Sequence, residues 1–138
     1  MKVLVLCTGN SCRSQMAEGF LRAALGGNDL VASAGIEPHG LNPRAVEVMR
    51  EVGIDISSHT SNDINRYLNH SFDYVITVCD NAAKRCPTFP GSGIRLHWPF
   101  DDPAQVTGSD DHILAEFRRV RDEIHRKIDE WLDTRDKQ

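Results

Sequence analysis

Apolar positions along this chain switch repeatedly between an unbroken run and a spacing of three or four. Lys2 to Leu6 is short, aliphatic and β-branched with no polar alternation, which predicts a strand buried on both faces. From Ser14, the residues Met16, Ala17, Phe20, Leu21, Ala24 and Leu25 fall at helical intervals and predict a helix of about three turns, stopped by Gly26-Gly27. Leu30 to Ser33 reads as a second strand. Asn42-Pro43 offers a helix cap and first residue, with Ala45, Val46, Met49 and Val52 as the buried face and Gly53 as the end. Asp73 to Val78 is another buried strand, and Ile94 to His97 a weaker one after the Pro90-Gly91 turn. Ile113, Phe117, Val120, Ile124, Ile128 and Trp131 mark the longest helical stripe, preceded by an irregular stretch from Asp101 to Asp111.

Strands alternating with helices predict an α/β fold: a three-layer sandwich with a four-stranded parallel sheet and helices on both faces. Ligands of such sheets bind at the carboxyl ends of the strands, so the site is expected just after Leu6, Val78 and His97. The length of 138 residues fits one domain over 1–138, large enough to bury a core without covalent staples. Sixteen Lys and Arg against 20 Asp and Glu give a net charge of -4, which disfavours a nucleic-acid partner. No export signal and no run of roughly 18 apolar residues is present, so a cytoplasmic protein with no membrane partner is expected. In that reducing compartment, Cys7, Cys12, Cys79 and Cys86 point to catalysis, metal binding or simple burial rather than to structural disulfides.

Cys7-Thr8-Gly9-Asn10-Ser11-Cys12-Arg13-Ser14 joins the first strand to the first helix. Its small residues allow successive backbone N–H groups to converge, and the helix N-terminus adds about half a positive charge. Arg13 adds a planar, bidentate donor suited to a tetrahedral oxyanion. The same donors lower the pKa expected for the Cys7 thiol into the range of roughly 3.5–7.5, so one loop would bind an anion and make a nucleophile. Cys12 reads as a bystander thiol, since one nucleophile suffices.

Cys79 ends the third strand at the same sheet edge. Cys86 lies across a helix-compatible stretch closed by Pro87, which sets their Cα atoms about 10 Å apart. A disulfide between them needs about 4.4–6.8 Å, so pairing would require unwinding; two independent thiols is the alternative. Zinc fits poorly, because neither pair has the usual ligand spacing. After the fourth strand, Trp98-Pro99-Phe100-Asp101-Asp102-Pro103 supplies an acid for a leaving oxygen, with Asp102 the first choice and Asp101 the alternate.

The Cys7–Ser14 loop resembles the signature of the low-molecular-weight protein tyrosine phosphatase superfamily. With Ser33-Ala34-Gly35-Ile36-Glu37, Ile54 to Thr60, Cys79 and Cys86, His97-Trp98, Phe100 to Pro103 and Phe117 to Ile124, nearly the whole chain resembles the thioredoxin-coupled arsenate reductases. That resemblance implies arsenate as substrate, with phosphate or sulfate as mimics, and Cys7 as nucleophile. It implies a Cys7–Cys79 disulfide followed by a Cys79–Cys86 disulfide that thioredoxin reduces, in a monomer that needs no cofactor. Asn10 would brace the loop and Ser14 would donate to the thiolate. Members that bind a potassium ion use the equivalents of Asn10, Glu18, Ser33 and an acidic residue; Asn62 stands at that last position, beside Asp63. Phosphatases proper place an aromatic residue after the Asp-Pro, where this chain has Ala104. A phosphatase working through a phosphocysteine, and a thiol-based metalloid sensor, are the rival readings.

Overall fold

The computed structural model describes residues 1–27 and 29–136. Strand β1 spans Lys2–Cys7, helix α1 Arg13–Ala24, β2 Leu30–Gly35, α2 Pro43–Glu51, β3 Tyr74–Thr77, α3 Asp80–Arg85, β4 Ile94–His97 and α4 Asp110–Asp136. Short 3-10 turns at Ile64–Tyr67 and Pro103–Gln105 complete the order.

The four strands form one parallel sheet in the order β2-β1-β3-β4. β1 is central because its residues are apolar on both faces: Val3 to Leu6 are fully buried. The chain leaves β1 to one side for β2 and returns across it to β3. That reversal opens a crevice at the carboxyl end of β1, where Cys7 sits. β4, at one edge of the sheet, is largely exposed, which is why its sequence pattern is weak.

Helix α1 packs on α4 and β2, and α2 packs on α4. Phe117, Val120, Ile124 and Ile128 of α4 are fully buried, as the stripe predicts, each contributing about 1.5–3 kcal/mol of burial. Asn42 caps α2 by accepting from the Arg44 N–H at 2.8 Å, with Pro43 in the first turn. Val52 departs from expectation: it follows the end of α2 and is 41% exposed, so the buried face of that helix is Ala45, Val48 and Met49. The stretch expected to be irregular up to Asp111 is shorter, because α4 starts at Asp110 and Pro103–Gln105 forms a turn capped by the Asp102 carboxylate. Arg121, buried inside the apolar face of α4, bonds the Val48 carbonyl at 3.0 Å and Glu51 at 2.8 Å, tying α4 to α2. Among the described residues, no helix is long and apolar enough to cross a membrane.

Candidate active site

The loop after β1 is held open from outside. The Cys7 carbonyl accepts from Ile36 N at 3.2 Å, Thr8 from Glu37 N at 2.9 Å, Gly9 from His39 N at 2.8 Å and Ser11 from Asn42 N at 3.0 Å. The Asn10 carbonyl accepts from the Gln15 side chain at 3.0 Å. Because a trans peptide points its N–H opposite to its C=O, pulling these carbonyls outward turns the following N–H groups inward. The result is a cradle of backbone donors at the start of α1, with Cys7 at its floor.

Asn10 makes the sharp turn. It is fully buried with φ 49°, a left-handed conformation that Asn tolerates better than most residues. Its side chain donates to Ser14 at 2.8 Å and Ser33 at 2.9 Å and accepts from Asn62 N at 2.8 Å, so it braces loop, helix and β2 as the resemblance implies. Gly35 is required for that fit: a Cβ there would lie 2.6 Å from the Thr8 carbonyl oxygen. Ser14 Oγ accepts from Asn10, which leaves its own proton free to donate, and the Thr8 N–H acts to lower the Cys7 pKa.

Arg13 reaches across the mouth. Its Nη1 donates to the Phe100 carbonyl at 3.1 Å and its Nη2 lies 3.4 Å from the Asp102 carboxylate. Its Nε is buried with no partner. An unpaired buried donor costs about 1–3 kcal/mol, so the site is built for an acceptor that completes the fork. The choice between the two acids is settled by the turn at Pro103: Asp102 lines the cavity with Cys7 and Arg13, whereas Asp101 pairs with Arg119 of α4 at 3.1 Å. The cavity, about 310 Å³, is walled by His39, Ala104 and Gln105, with no Phe, Tyr or Trp in its lining.

Cys7 and Cys79 lie near enough to shift each other's titration, and all four cysteines are free thiols. The expectation of a lowered Cys7 pKa is corrected here. The hydrogen bond to Cys79 and burial push the Cys7 thiol well above its ordinary value, against Arg13 and the Thr8 N–H. Cys79 is lowered to about 5, chiefly by that bond from Cys7, then by Thr8 and the Ala82 N–H at the start of α3. The two thiols titrate as a pair, with the first proton lost well below the ordinary thiol range and the second well above it. Burial raises Cys12 to about 11, in keeping with a bystander. Cys86, half-buried at the far end of α3, is raised by burial and opposed by Arg95.

Around Glu18 the oxygens are already paired. Ser33 donates to one carboxylate oxygen at 2.5 Å and Arg22 to the other at 2.7 Å, while Asn62 Oδ1 accepts from Thr60 at 3.1 Å and Arg66 at 3.1 Å. Two guanidinium groups and an amide in place of a carboxylate do not fit a potassium cage. Asp63 does not supply the missing charge, since its carboxylate caps the turn at Ile64–Tyr67. Sequence reasoning missed Gln15, fully buried with bonds to the Asn10 and Thr60 carbonyls at 3.0 Å each, because a polar residue in a helix carries no local signal of its partners. It also missed Asn81 and His39.

Residues 2–138 match the family described as low molecular weight phosphotyrosine protein phosphatase. An arsenate reductase of Bacillus subtilis is 52% identical over 132 residues, covering 96% of this chain and 95% of that protein. A solved arsenate reductase in an oxidised state superposes with a TM-score of 0.80 at 34% identity, covering 94% of each chain. Another, in a phosphate-binding state, gives 0.76 at 34% identity over 96% of this chain and 97% of its own.

Proposed function

The chain belongs to the low molecular weight phosphotyrosine protein phosphatase family, and within it we propose that this member reduces arsenate to arsenite. The observation that carries the reading is a second thiol, Cys79, held 3.3 Å from the Thr8 hydroxyl of the oxyanion loop and titrating as a pair with Cys7 at its floor. Hydrolysis of a phosphoester has no use for that second thiol. The high identity to arsenate reductases over almost the full chain supports the same substrate.

Arsenate sits in the cradle with its oxygens on the loop N–H groups and Arg13, the Nε included. The proton between the two sulfurs moves to Cys79, and the Cys7 thiolate forms a bond to As(V). Hydroxide leaves as water with a proton from Asp102. Cys79 gives up to solvent the proton it took from Cys7 and, again a thiolate, attacks Cys7 Sγ; the S–As bond breaks, its electron pair stays on arsenic, and arsenite departs. A Cys7–Cys79 disulfide remains. Cys86 then attacks Cys79 Sγ and releases Cys7 as thiolate, leaving a Cys79–Cys86 disulfide. With α3 helical, the two Cα atoms stand about 10 Å apart, so this last step requires α3 to unwind. A dithiol partner, thioredoxin, returns both electrons.

On this reading the protein works as a monomer in a reducing cytoplasm, and the thiol–disulfide exchange itself calls for no metal or organic cofactor. Phosphate has the shape and charge of arsenate and occupies the cradle as a competitor with weak turnover through phosphocysteine. A phosphatase as the main activity is disfavoured by the lack of an aromatic wall beside Asp102. A sensor needs neither Arg13 nor Asp102. The deciding experiment is arsenate-dependent NADPH oxidation with thioredoxin and its reductase, comparing wild type with Cys7→Ser, Cys79→Ser and Cys86→Ser. All three variants lose turnover; a Cys79→Ser enzyme at the wild-type rate overturns the reading.

A further inference from the structure

Thr8 lies between α3 and the loop. Its hydroxyl is 3.3 Å from Cys79 Sγ and accepts from Asn81 Nδ2 at 3.0 Å. An amide nitrogen can only donate, so with Asn81 bonded to the oxygen, the hydroxyl proton is the group left to face Cys79. Had the amide presented its oxygen, the proton would turn to Asn81 and leave the sulfur facing a lone pair. Asn81 belongs to α3, the same helix that Cys79 caps through the Ala82 N–H at 3.4 Å.

From this arrangement we infer that Asn81 is a positioning residue of the second nucleophile: it orients the Thr8 hydroxyl as a donor to Cys79. The inference rests on the relay reading for its use in turnover, although the orientation itself does not. While α3 is helical, Asn81 holds the donor on Cys79 and keeps this sulfur a thiolate beside Cys7. When α3 unwinds, Asn81 leaves with it and the donor is released. A hydrogen bond to a charged acceptor is among the stronger ones, and the Thr8 hydroxyl helps to lower the Cys79 pKa.

The test titrates Cys79 by thiolate ultraviolet absorbance in the full chain with Cys7, Cys12 and Cys86 replaced by Ser. Asn81→Asp presents only acceptors, turns the Thr8 proton away, and is expected to weaken the acidity of Cys79 about tenfold, one pKa unit. Asn81→Ala frees the hydroxyl to rotate and gives a smaller loss. Because a carboxylate also repels a thiolate directly, the same Asn81→Asp change is made in a Thr8→Val background, where only the direct part survives. Equal shifts with and without Thr8 overturn the inference, as does an Asn81→Asp protein whose Cys79 titrates like its parent. In the intact enzyme, Asn81→Asp moves the acidic limb of the pH–rate profile upward for arsenite release. Failure of the relay reads out separately, as a Cys79→Ser enzyme that still turns over.

Discussion

Arg13 Nη2 lies 3.4 Å from the Asp102 carboxylate, while the Nε of the same guanidinium is buried and unpartnered. The two residues are far apart along the chain, at the start of α1 and in the turn after β4. They face each other because β1 and β4 end at the same edge of one sheet. One cation thus holds the acid in place and keeps its remaining donor for the anion.

Arg13→Lys keeps the charge and loses the planar fork. Removing a preorganised oxyanion donor costs about 10²–10³ in rate, so kcat/KM for arsenate is expected to fall by that order. Steady-state arsenate reduction checks it, and urea denaturation shows the variant is folded.

Asp102→Asn retains the shape and the acceptor that caps the following turn, with Ala104 N at 3.0 Å. It removes the proton donor, and general acid catalysis is worth about 10²–10⁴. Phosphate binding, measured by calorimetry, is expected to survive while turnover drops.

Cys86→Ser stops the relay one step late. A single equivalent of arsenite is expected per enzyme, followed by arrest with a Cys7–Cys79 disulfide visible by peptide mass mapping. Cys79→Ser releases no arsenite at all.

The paired thiols give stability a pH dependence. Cys79 titrates at about 5 in the folded chain against an ordinary 9.0, so its contribution is fully present above pH 9.0 and is lost as pH falls through about 5. Cys7 is raised, so its contribution is present below its ordinary 9.0 and is lost as pH climbs toward its folded value. Urea unfolding of the reduced protein is expected to show stability rising from pH 5 toward 9 and falling beyond. Cys79→Ser flattens the rising limb.

Exchanging potassium for sodium at constant ionic strength is expected to leave kcat and KM unchanged, because the Glu18 carboxylate is already bonded by Arg22 and Ser33. Steady-state rates in the two salts decide it.

Much of this was legible from local pattern. The stripe from Phe117 to Ile128 is the buried face of α4, with Ile113 partly buried, and Asn42-Pro43 is the cap and first turn of α2. Val52 was misplaced because helical spacing alone does not say where a helix stops. The 3-10 turn at Pro103–Gln105 was hidden in a polar stretch, and with it the answer to which aspartate faces Arg13.

By itself the sequence determined the alternation of strands and helices, the central buried strand, and a loop of small residues ending in Arg13 at a helix start. These follow from side-chain period, capping and backbone sterics, which act between near neighbours. Only the tertiary structure decided that Cys79 lies close enough to Cys7 for the two to titrate as a pair, that Asp102 rather than Asp101 enters the site, and that Asn81 reaches Thr8. Those contacts join residues some seventy to ninety positions apart in the chain, as the separations of 73 for Asn81–Thr8 and 87 for Arg13–Phe100 illustrate. They are set by the β2-β1-β3-β4 order, which brings strand ends together irrespective of their distance along the sequence.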